Sequence, residues 1–169
     1  MVRFHCRLRL NRVVAVGVLA ASVSLFAGNQ FFESQAIGRF VLAPSLGAEV
    51  LKQCSRATPR DVAGFWKPST HDVDELELAL TKYLETREKA GQEAPPKGQA
   101  YHRQYVGFTK GSERFIYGNF YPASAAAGLW KDKESRQALV VCDGGPAFWG
   151  IVFRVSTKTF EDIRFNGLG

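Results

Sequence analysis

The chain has few of the side chains from which catalytic and metal centres are usually built. Its 169 residues include 3 His and 3 Cys. It contains no G-x-S-x-G nucleophile elbow, no glycine-rich phosphate loop and no H-E-x-x-H pair. His71 and His102, the two histidines beyond the N-terminal segment, fall on different predicted elements. The sequence therefore lacks the common hydrolase, nucleotide-binding and zinc signatures, and we expect no metal and no cofactor.

The N-terminal apolar run is shorter than a transmembrane helix requires. Residues 13–27 are uncharged, and the first acidic residue is Glu33. Four arginines precede the run: Arg3, Arg7, Arg9 and Arg12. A spanning helix needs about 17–25 apolar residues, whereas a basic start before about 7–15 apolar residues is typical of a secretory signal. The pattern predicts a signal peptide over residues 1–27 and a secreted or periplasmic protein. The alternatives are an uncleaved anchor over residues 13–32 and an organelle transit peptide.

The chain has no strong excess of basic charge once this leader is set aside. It carries 22 Lys and Arg against 16 Asp and Glu, a net charge of +6. Without the four leader arginines the balance is 18 against 16, a net charge of about +2. Because nucleic-acid surfaces need a clustered basic face, we expect no nucleic-acid partner. Contact with a membrane is expected only through an uncleaved leader.

The cysteines beyond the leader are few but even in number. Cys6 lies in the basic stretch, which leaves Cys54 and Cys142. In an exported domain this pair predicts a disulfide, and two buried free thiols are the alternative. The segment at residues 142–146 is interpreted as a cystine at the end of a strand that enters a glycine-rich hairpin. A nucleophilic Cys142 would need a lowered thiol pKa, which the neighbouring Asp143 opposes.

The clearest periodic segment predicts one amphipathic helix that begins near Asp72. Asp72 can cap the first turn, and Glu75 lies at capping-box spacing. Glu77 is predicted to face water. Gly91 ends the pattern. An apolar stripe at helical spacing defines the buried side of this helix: Val73, Leu76, Leu80, Tyr83 and Leu84.

The rest of the chain has the pattern of β-strands joined by short turns. Five runs are rich in strand formers: residues 101–109, 114–121, 137–142, 148–156 and 160–165. Short connections favour antiparallel pairing. We predict one α+β domain over residues 54–169, with a helix packed on a four- to five-stranded antiparallel sheet. Residues 28–53 are predicted to be a flexible spacer. The arrangement is similar to cystatin-like domains in architecture only, which implies no function.

Tyrosine, tryptophan and arginine are frequent on and near the first two predicted strands. Such side chains suit binding surfaces, because the rings are apolar and the tips are polar. The alternative for the rings is ordinary packing within the sheet. The residues that we predict to bind a ligand are Tyr101, Arg103, Tyr105, Arg114, Tyr117 and Trp130.

These features favour a non-catalytic binding domain of the cell envelope or extracellular space. Its partner would be a protein, a peptide or an envelope polymer. One alternative is a small secreted hydrolase or isomerase that uses His102 with Asp143 or Glu113 as an acid–base pair. Another is a structural accessory subunit with an exposed apolar patch.

Overall fold

A computed structural model of the chain describes residues 38–126, 137–161 and 163–169, which form an α+β fold. Its long helix is α2, Thr70–Lys89, and α1 is a single turn at Gly47–Val50. The 3-10 turns are Pro44–Leu46, Ala123–Ala126 and Gly145–Ala147. The strands are β1 Arg39–Val41, β2 Gly64–Trp66, β3 Tyr101–Lys110, β4 Glu113–Pro122, β5 Trp149–Arg154, β6 Thr159–Phe160 and β7 Arg164–Phe165.

The seven strands form one mixed sheet. Strands β3, β4 and β5 are its antiparallel centre, with Tyr105 opposite Gly118 and Gly118 opposite Ile151. Each edge is shared by two short strands that lie end to end. Strands β1 and β2 pair with β3, and strands β6 and β7 pair with β5. The sheet is therefore five strands across at its widest.

The predicted purely antiparallel sheet is wrong at one edge, because β1 runs parallel to β3. Parallel neighbours need a long connection, and the chain between these two strands, which includes α2, provides it. Ordered structure also begins earlier than predicted. Residues 39–50 contain β1, a 3-10 turn and α1, and Leu42 and Val50 are fully buried. Their burial explains why this part of the predicted spacer is held against the sheet.

The predicted strand boundaries are accurate only in the centre of the sheet. The runs over residues 101–109 and 114–121 are confirmed as β3 and β4. The run over residues 160–165 is divided into two short strands, β6 and β7. Residues 137–142 are not a strand, which corrects the prediction for that segment.

Helix α2 begins with a capping box three residues before the predicted cap. Ser69 is the N-cap, and its hydroxyl accepts a hydrogen bond from the Asp72 N–H at 3.2 Å. The Asp72 carboxylate accepts in return from the Ser69 N–H at 2.8 Å. Val73, Leu76 and Leu80 are buried, as the apolar stripe predicts.

Ser69→Ala is expected to lower the free energy of unfolding by about 0.5–2 kcal/mol at neutral pH, the usual cost of losing an N-cap hydroxyl.

Partial burial raises the pKa of Asp72, but the hydrogen bonds from the Ser69 side chain and backbone, with the charges of Arg114 and His71, hold it below its ordinary value of 3.8. A lowered folded pKa gives stability that is present above about pH 4 and is lost as the pH falls through the folded pKa.

Urea unfolding at several pH values tests whether the stabilisation by Asp72 decreases as the pH falls. The difference in unfolding free energy between wild type and Asp72→Asn should be constant above about pH 5 and should shrink in acid. A difference that grows as the pH falls would contradict the assigned capping role of the carboxylate.

Both faces of the sheet bury apolar side chains. The helix face lies under α2 and contributes residues such as Tyr105, Phe120 and Trp149. Phe120 stacks on Trp149 with ring centroids 3.7 Å apart. The opposite face, here called the loop face, packs against α1 and irregular segments. Its core consists of Leu42, Val50, Val106, Phe108, Phe115, Tyr117, Ala138 and Val152.

The predicted disulfide between Cys54 and Cys142 is confirmed, with Cα atoms 4.7 Å apart and a separation of 88 in sequence. Both half-cystines are exposed. Gly144 and Gly145 have φ values of +96° and +62°, as a glycine-rich turn requires. Because disulfides persist in oxidising compartments, this crosslink indicates a location outside the reducing cytosol. None of the helices in residues 38–126, 137–161 and 163–169 has the length and apolarity of a membrane span.

Candidate functional site

The loop face carries a hydrogen-bonded set of buried polar side chains, which we call the polar layer. Its members are Gln53, Arg56, Gln104, Asn119 and Asn166. Gln104 on β3 and Asn119 on β4 are register partners, and Asn119 Nδ2 donates to Gln104 Oε1 at 3.3 Å. The other three come from segments outside the strands. Since a buried polar group without a partner costs about 1–3 kcal/mol, these side chains must satisfy one another or the backbone.

The polar layer fastens residues 137–143 to the sheet. Gln53 Nε2 donates to the Leu139 carbonyl at 2.8 Å, and Gln53 Oε1 accepts from the Val141 N–H at 3.2 Å. Other amides of the layer bond further backbone groups of this segment at 2.8–3.0 Å. Side-chain amides thus replace the hydrogen bonds of a strand ladder, which explains why the predicted strand over residues 137–142 does not form.

Arg56 is the cation of the polar layer and is 8% exposed. Its Nε donates to the Tyr117 hydroxyl at 3.2 Å, and its Nη1 donates to Asn166 Oδ1 at 2.6 Å. Its Nη2 donates to Asn119 Oδ1. All three acceptors are uncharged. Arg56 makes no ion pair with a carboxylate of the described residues, so its charge is solvated by neutral groups and is not neutralised.

Beside Arg56 lies a cleft of about 260 Å³, which we call the basic cleft. Among the residues that the structure describes, its lining includes three cations, Arg60, Lys110 and Arg164, and one carboxylate, Glu161. Cations therefore outnumber carboxylates in the described part of the lining. The rest of the wall consists of residues 57–59, Tyr117 and residues 150–152.

Tyr117 forms a buried part of this wall and is 2% exposed. It lies against Gly150, where an added Cβ would be 2.5 Å from Tyr117 Oη and 3.0 Å from its ring. The missing side chain at Gly150 therefore makes room for the phenol. Burial raises the pKa of Tyr117 more than the charge and hydrogen bond of Arg56 lower it. The phenol is consequently protonated at neutral pH, and no described group accepts its proton.

The three tyrosines predicted to bind a ligand are buried, so they form no exposed aromatic surface. Tyr101 and Tyr105 belong to the core of the helix face, and Tyr117 belongs to the core of the loop face. The Tyr105 hydroxyl donates to Glu77, which corrects the prediction that Glu77 faces water. Burial, and then the charge and hydrogen bond of Glu77, raise the pKa of Tyr105 well above its ordinary value.

The two arginines that we predict to bind a ligand, Arg103 and Arg114, do not line the basic cleft. Arg103 Nε is 3.4 Å from Glu77 Oε1. The Arg114 guanidinium is 3.6 Å from the centre of the Trp66 ring. Trp130 falls outside the described residues. Among the five predicted residues that the structure describes, only Tyr117 lines the basic cleft, and a ligand-binding role for the other four and for Trp130 stays a prediction.

His102 lies near the start of β3. Its ring stacks between Phe40 and Tyr121, with centroid distances of 6.0 and 5.6 Å, and its Nδ1 accepts a backbone N–H at 3.2 Å. Glu113 lies at the other end of the β3–β4 hairpin, roughly 25 Å away at about 3.3 Å per residue. Since proton transfer needs hydrogen-bond contact, Glu113 cannot be its acid–base partner. A pairing with Asp143 stays a prediction.

No protein-family model, curated protein or solved structure matches the chain. Any function proposed for it therefore rests on the chemistry of its own residues. Among the residues that the structure describes, no three His, Cys, Asp or Glu side chains are grouped in the way a metal site requires.

Sequence reasoning did not single out Arg56, Arg60 or Arg164. They carry no periodic pattern and belong to no motif, and a chain with 22 Lys and Arg offers many such positions. The one signal near them is Cys54, because a half-cystine fixes the adjacent backbone and makes a neighbouring side chain a candidate for burial.

Proposed function

We propose that this protein is an exported, non-catalytic binding domain and that the basic cleft is where it takes an anionic group of its ligand. The single observation that carries the proposal is the charge of the cleft. Arg60, Lys110 and Arg164 line a space of about 260 Å³, in which the described part of the chain places one carboxylate, Glu161. Clustered charge of one sign in a cleft attracts and orients ligands of the opposite sign.

Export is supported by two independent features. The leader has four arginines followed by the uncharged run at residues 13–27, the order of a secretory signal. The Cys54–Cys142 disulfide fits an oxidising compartment. A secreted or periplasmic location brings the cleft into contact with extracellular solutes and envelope polymers. The similarity to cystatin-like domains stays a hypothesis about architecture and does not support this function.

The size of the basic cleft limits what it can hold. A volume of about 260 Å³ lies just below the usual range of about 300–1,000 Å³ for small-molecule sites. The cleft therefore suits one small anionic unit better than an extended chain. The partner would be an anionic small molecule, or a protein, peptide or envelope polymer that presents such a unit at its end.

Calorimetric titration with sodium phosphate and with sodium acetate tests the proposal. We expect saturable binding of at least one anion, weakened by added salt because the lining charges are near the surface. Arg60→Glu should weaken it by about tenfold, equivalent to about 1.4 kcal/mol.

The matched control is Lys89→Glu at the end of α2, which changes the net charge of the protein by the same amount away from the cleft. It should leave the affinity within about twofold of wild type, since exposed distant charges are largely screened. If neither anion binds, or if both charge reversals weaken binding equally, the basic cleft is not the site.

A further inference from the structure

A groove of about 370 Å³ lies between α2 and the hairpin that joins β5 to β6, and we call it the apolar groove. Its described lining consists of Ala79, Lys82, Tyr83 and Thr86 of α2, with Lys158, Thr159 and Phe160. Its volume falls within the range of about 300–1,000 Å³ that small-molecule sites usually have. It shares no described lining residue with the basic cleft, so it is a separate candidate site.

Two half-buried aromatic rings give the groove its apolar character. The rings of Tyr83 and Phe160 are tilted by 40° with centroids 5.1 Å apart, and Phe160 also packs on Phe153 with centroids 5.0 Å apart. Tyr83, Phe160 and Ala79 all pack against the core of the helix face. The Tyr83 hydroxyl accepts from Arg87 Nη1 at 3.2 Å. Packing fixes the rings in position, and their partial exposure leaves apolar surface on which a hydrocarbon group gains free energy by leaving water.

The wall opposite α2 is held in place by an ion pair. Lys158 has a φ of +54°, in the left-handed region that residues other than glycine seldom adopt. Its ammonium binds the Glu75 carboxylate of α2, which ties the β5–β6 turn to the helix. Because the pair compensates the charge of Lys158, the methylene stem of this side chain is what it adds to the groove.

Lys82 carries the polar group of the described lining that is available to a ligand. The Thr86 hydroxyl donates to the Lys82 carbonyl at 2.9 Å, and the hydroxyls of Thr157 and Thr159 bond each other at 2.7 Å. The Lys82 side chain is exposed, and it makes no ion pair with a carboxylate of the described residues. A cation beside apolar rings complements a ligand that is apolar along its length and anionic at one end.

We propose that the apolar groove binds a free medium-chain fatty acid, with its hydrocarbon chain along Tyr83 and Phe160 and its carboxylate at the Lys82 ammonium. This second site goes beyond the anion binding proposed for the basic cleft and does not depend on it. The rings select the chain, and charge complementarity orients the carboxylate. A carboxylate without a chain would gain only an exposed ion pair, which adds little to affinity.

Amide chemical shifts of the ¹⁵N-labelled full chain, followed while sodium octanoate is added, test the proposal. We expect saturable shifts at residues 79–86 and 158–160, which form the groove. Hexanoate should bind between about fourfold and about 15-fold more weakly than octanoate, because it buries two methylene groups fewer. Acetate, which has the carboxylate without the chain, should give no saturable shifts at these residues.

Thr86→Trp is the variant that should block the groove, and Thr81→Trp is its matched control. Both threonines are exposed residues of α2 whose hydroxyls donate to the carbonyl four residues earlier. Of the two, Thr86 lines the groove and Thr81 does not. Thr86→Trp should weaken octanoate binding by at least about tenfold, and Thr81→Trp should leave it within about twofold of wild type. Thermal unfolding verifies that both variants remain folded.

Lys82→Glu separates the contact with the carboxylate from the contact with the chain. It should weaken octanoate binding by between about threefold and about tenfold, since an exposed ion pair is replaced by repulsion. Octanol has the same chain without the charge, so its affinity should change by less than about twofold. Lys89→Glu, at the end of α2 and outside the described lining, should change neither affinity.

The proposal is supported if octanoate shifts the groove residues, if Thr86→Trp alone of the two tryptophan variants blocks binding, and if Lys82→Glu weakens octanoate more than octanol. Each opposite result overturns it: octanoate shifts that are absent or map elsewhere, equal loss in both tryptophan variants, or equal effects of Lys82→Glu on the two probes. Cosedimentation with phosphatidylcholine vesicles without octanoate binding would assign the groove to a membrane surface and would also overturn it. None of these outcomes decides whether the basic cleft binds phosphate or acetate.

Discussion

Replacing Cys54 and Cys142 together by serine is expected to lower the free energy of unfolding by about 2–5 kcal/mol. The bond joins residues 88 positions apart, so it removes a large loop-closure entropy from the unfolded chain. In the folded state it links the segment that bears Arg56 to residues 137–143. Both half-cystines are exposed, so serine meets water at each position and adds no buried polar group.

Urea unfolding of wild type and the double variant, each with and without reductant, measures this effect. The reductant should destabilise wild type by about the same amount as the double substitution and should leave the variant unchanged. A loss below about 1 kcal/mol in both comparisons would show that the polar layer alone holds the two segments together.

Arg56→Ala is expected to lower the free energy of unfolding by about 3 kcal/mol or more, since each buried acceptor left without a donor costs about 1–3 kcal/mol. The substitution leaves Tyr117, Asn119 and Asn166 without the donor that each now has. It also leaves a cavity that the surrounding residues can fill only in part.

The control for this variant is Arg60→Ala, four residues along the chain at the exposed rim of the basic cleft. Its unfolding free energy should stay within about 0.5 kcal/mol of wild type, as for most surface positions. Chemical denaturation of both variants provides the comparison. Equal stability of Arg56→Ala and Arg60→Ala would mean that the buried hydrogen bonds contribute nothing net to the fold.

The elements predicted correctly are those whose signals are local. The stripe of Val73, Leu76 and Leu80 recurs at helical spacing within three turns, and all three side chains are buried in α2. Strands β3 and β4 are neighbours in sequence, joined by the turn at Gly111, where φ is +56°. The disulfide was predictable because two cysteines outside the predicted leader allow only one pairing.

The elements that were missed depend on partners far away in sequence. Strand β1 has three residues and is held by β3, more than sixty positions later. Residues 137–142 have the composition of a strand, yet their backbone is bonded by Gln53, Gln104 and Asn166. Strand propensity is a local property of residues 137–142, so it does not include hydrogen bonds from side chains that are distant in sequence. Nothing in the sequence around each of these amides indicates which backbone group it binds.

The candidate site was the least predictable part for the same reason. Its described wall combines residues 57–60, Lys110, Tyr117, residues 150–152, Glu161 and Arg164. The frequency of aromatic residues predicted a binding role for Tyr101 and Tyr105, but both side chains belong to the core of the helix face. Tyr117 was among the predicted binding residues, but nothing in the sequence joined it to Arg56 across 61 positions.

Amide chemical shifts of the ¹⁵N-labelled full chain, followed while sodium phosphate is added, test most directly whether the basic cleft is an anion site. The account predicts saturable shifts that are largest at residues 57–60, at Lys110 and at residues 150–152, which line the cleft. Saturable shifts that avoid these residues and map to another surface, or no saturable shifts at any phosphate concentration, would contradict it.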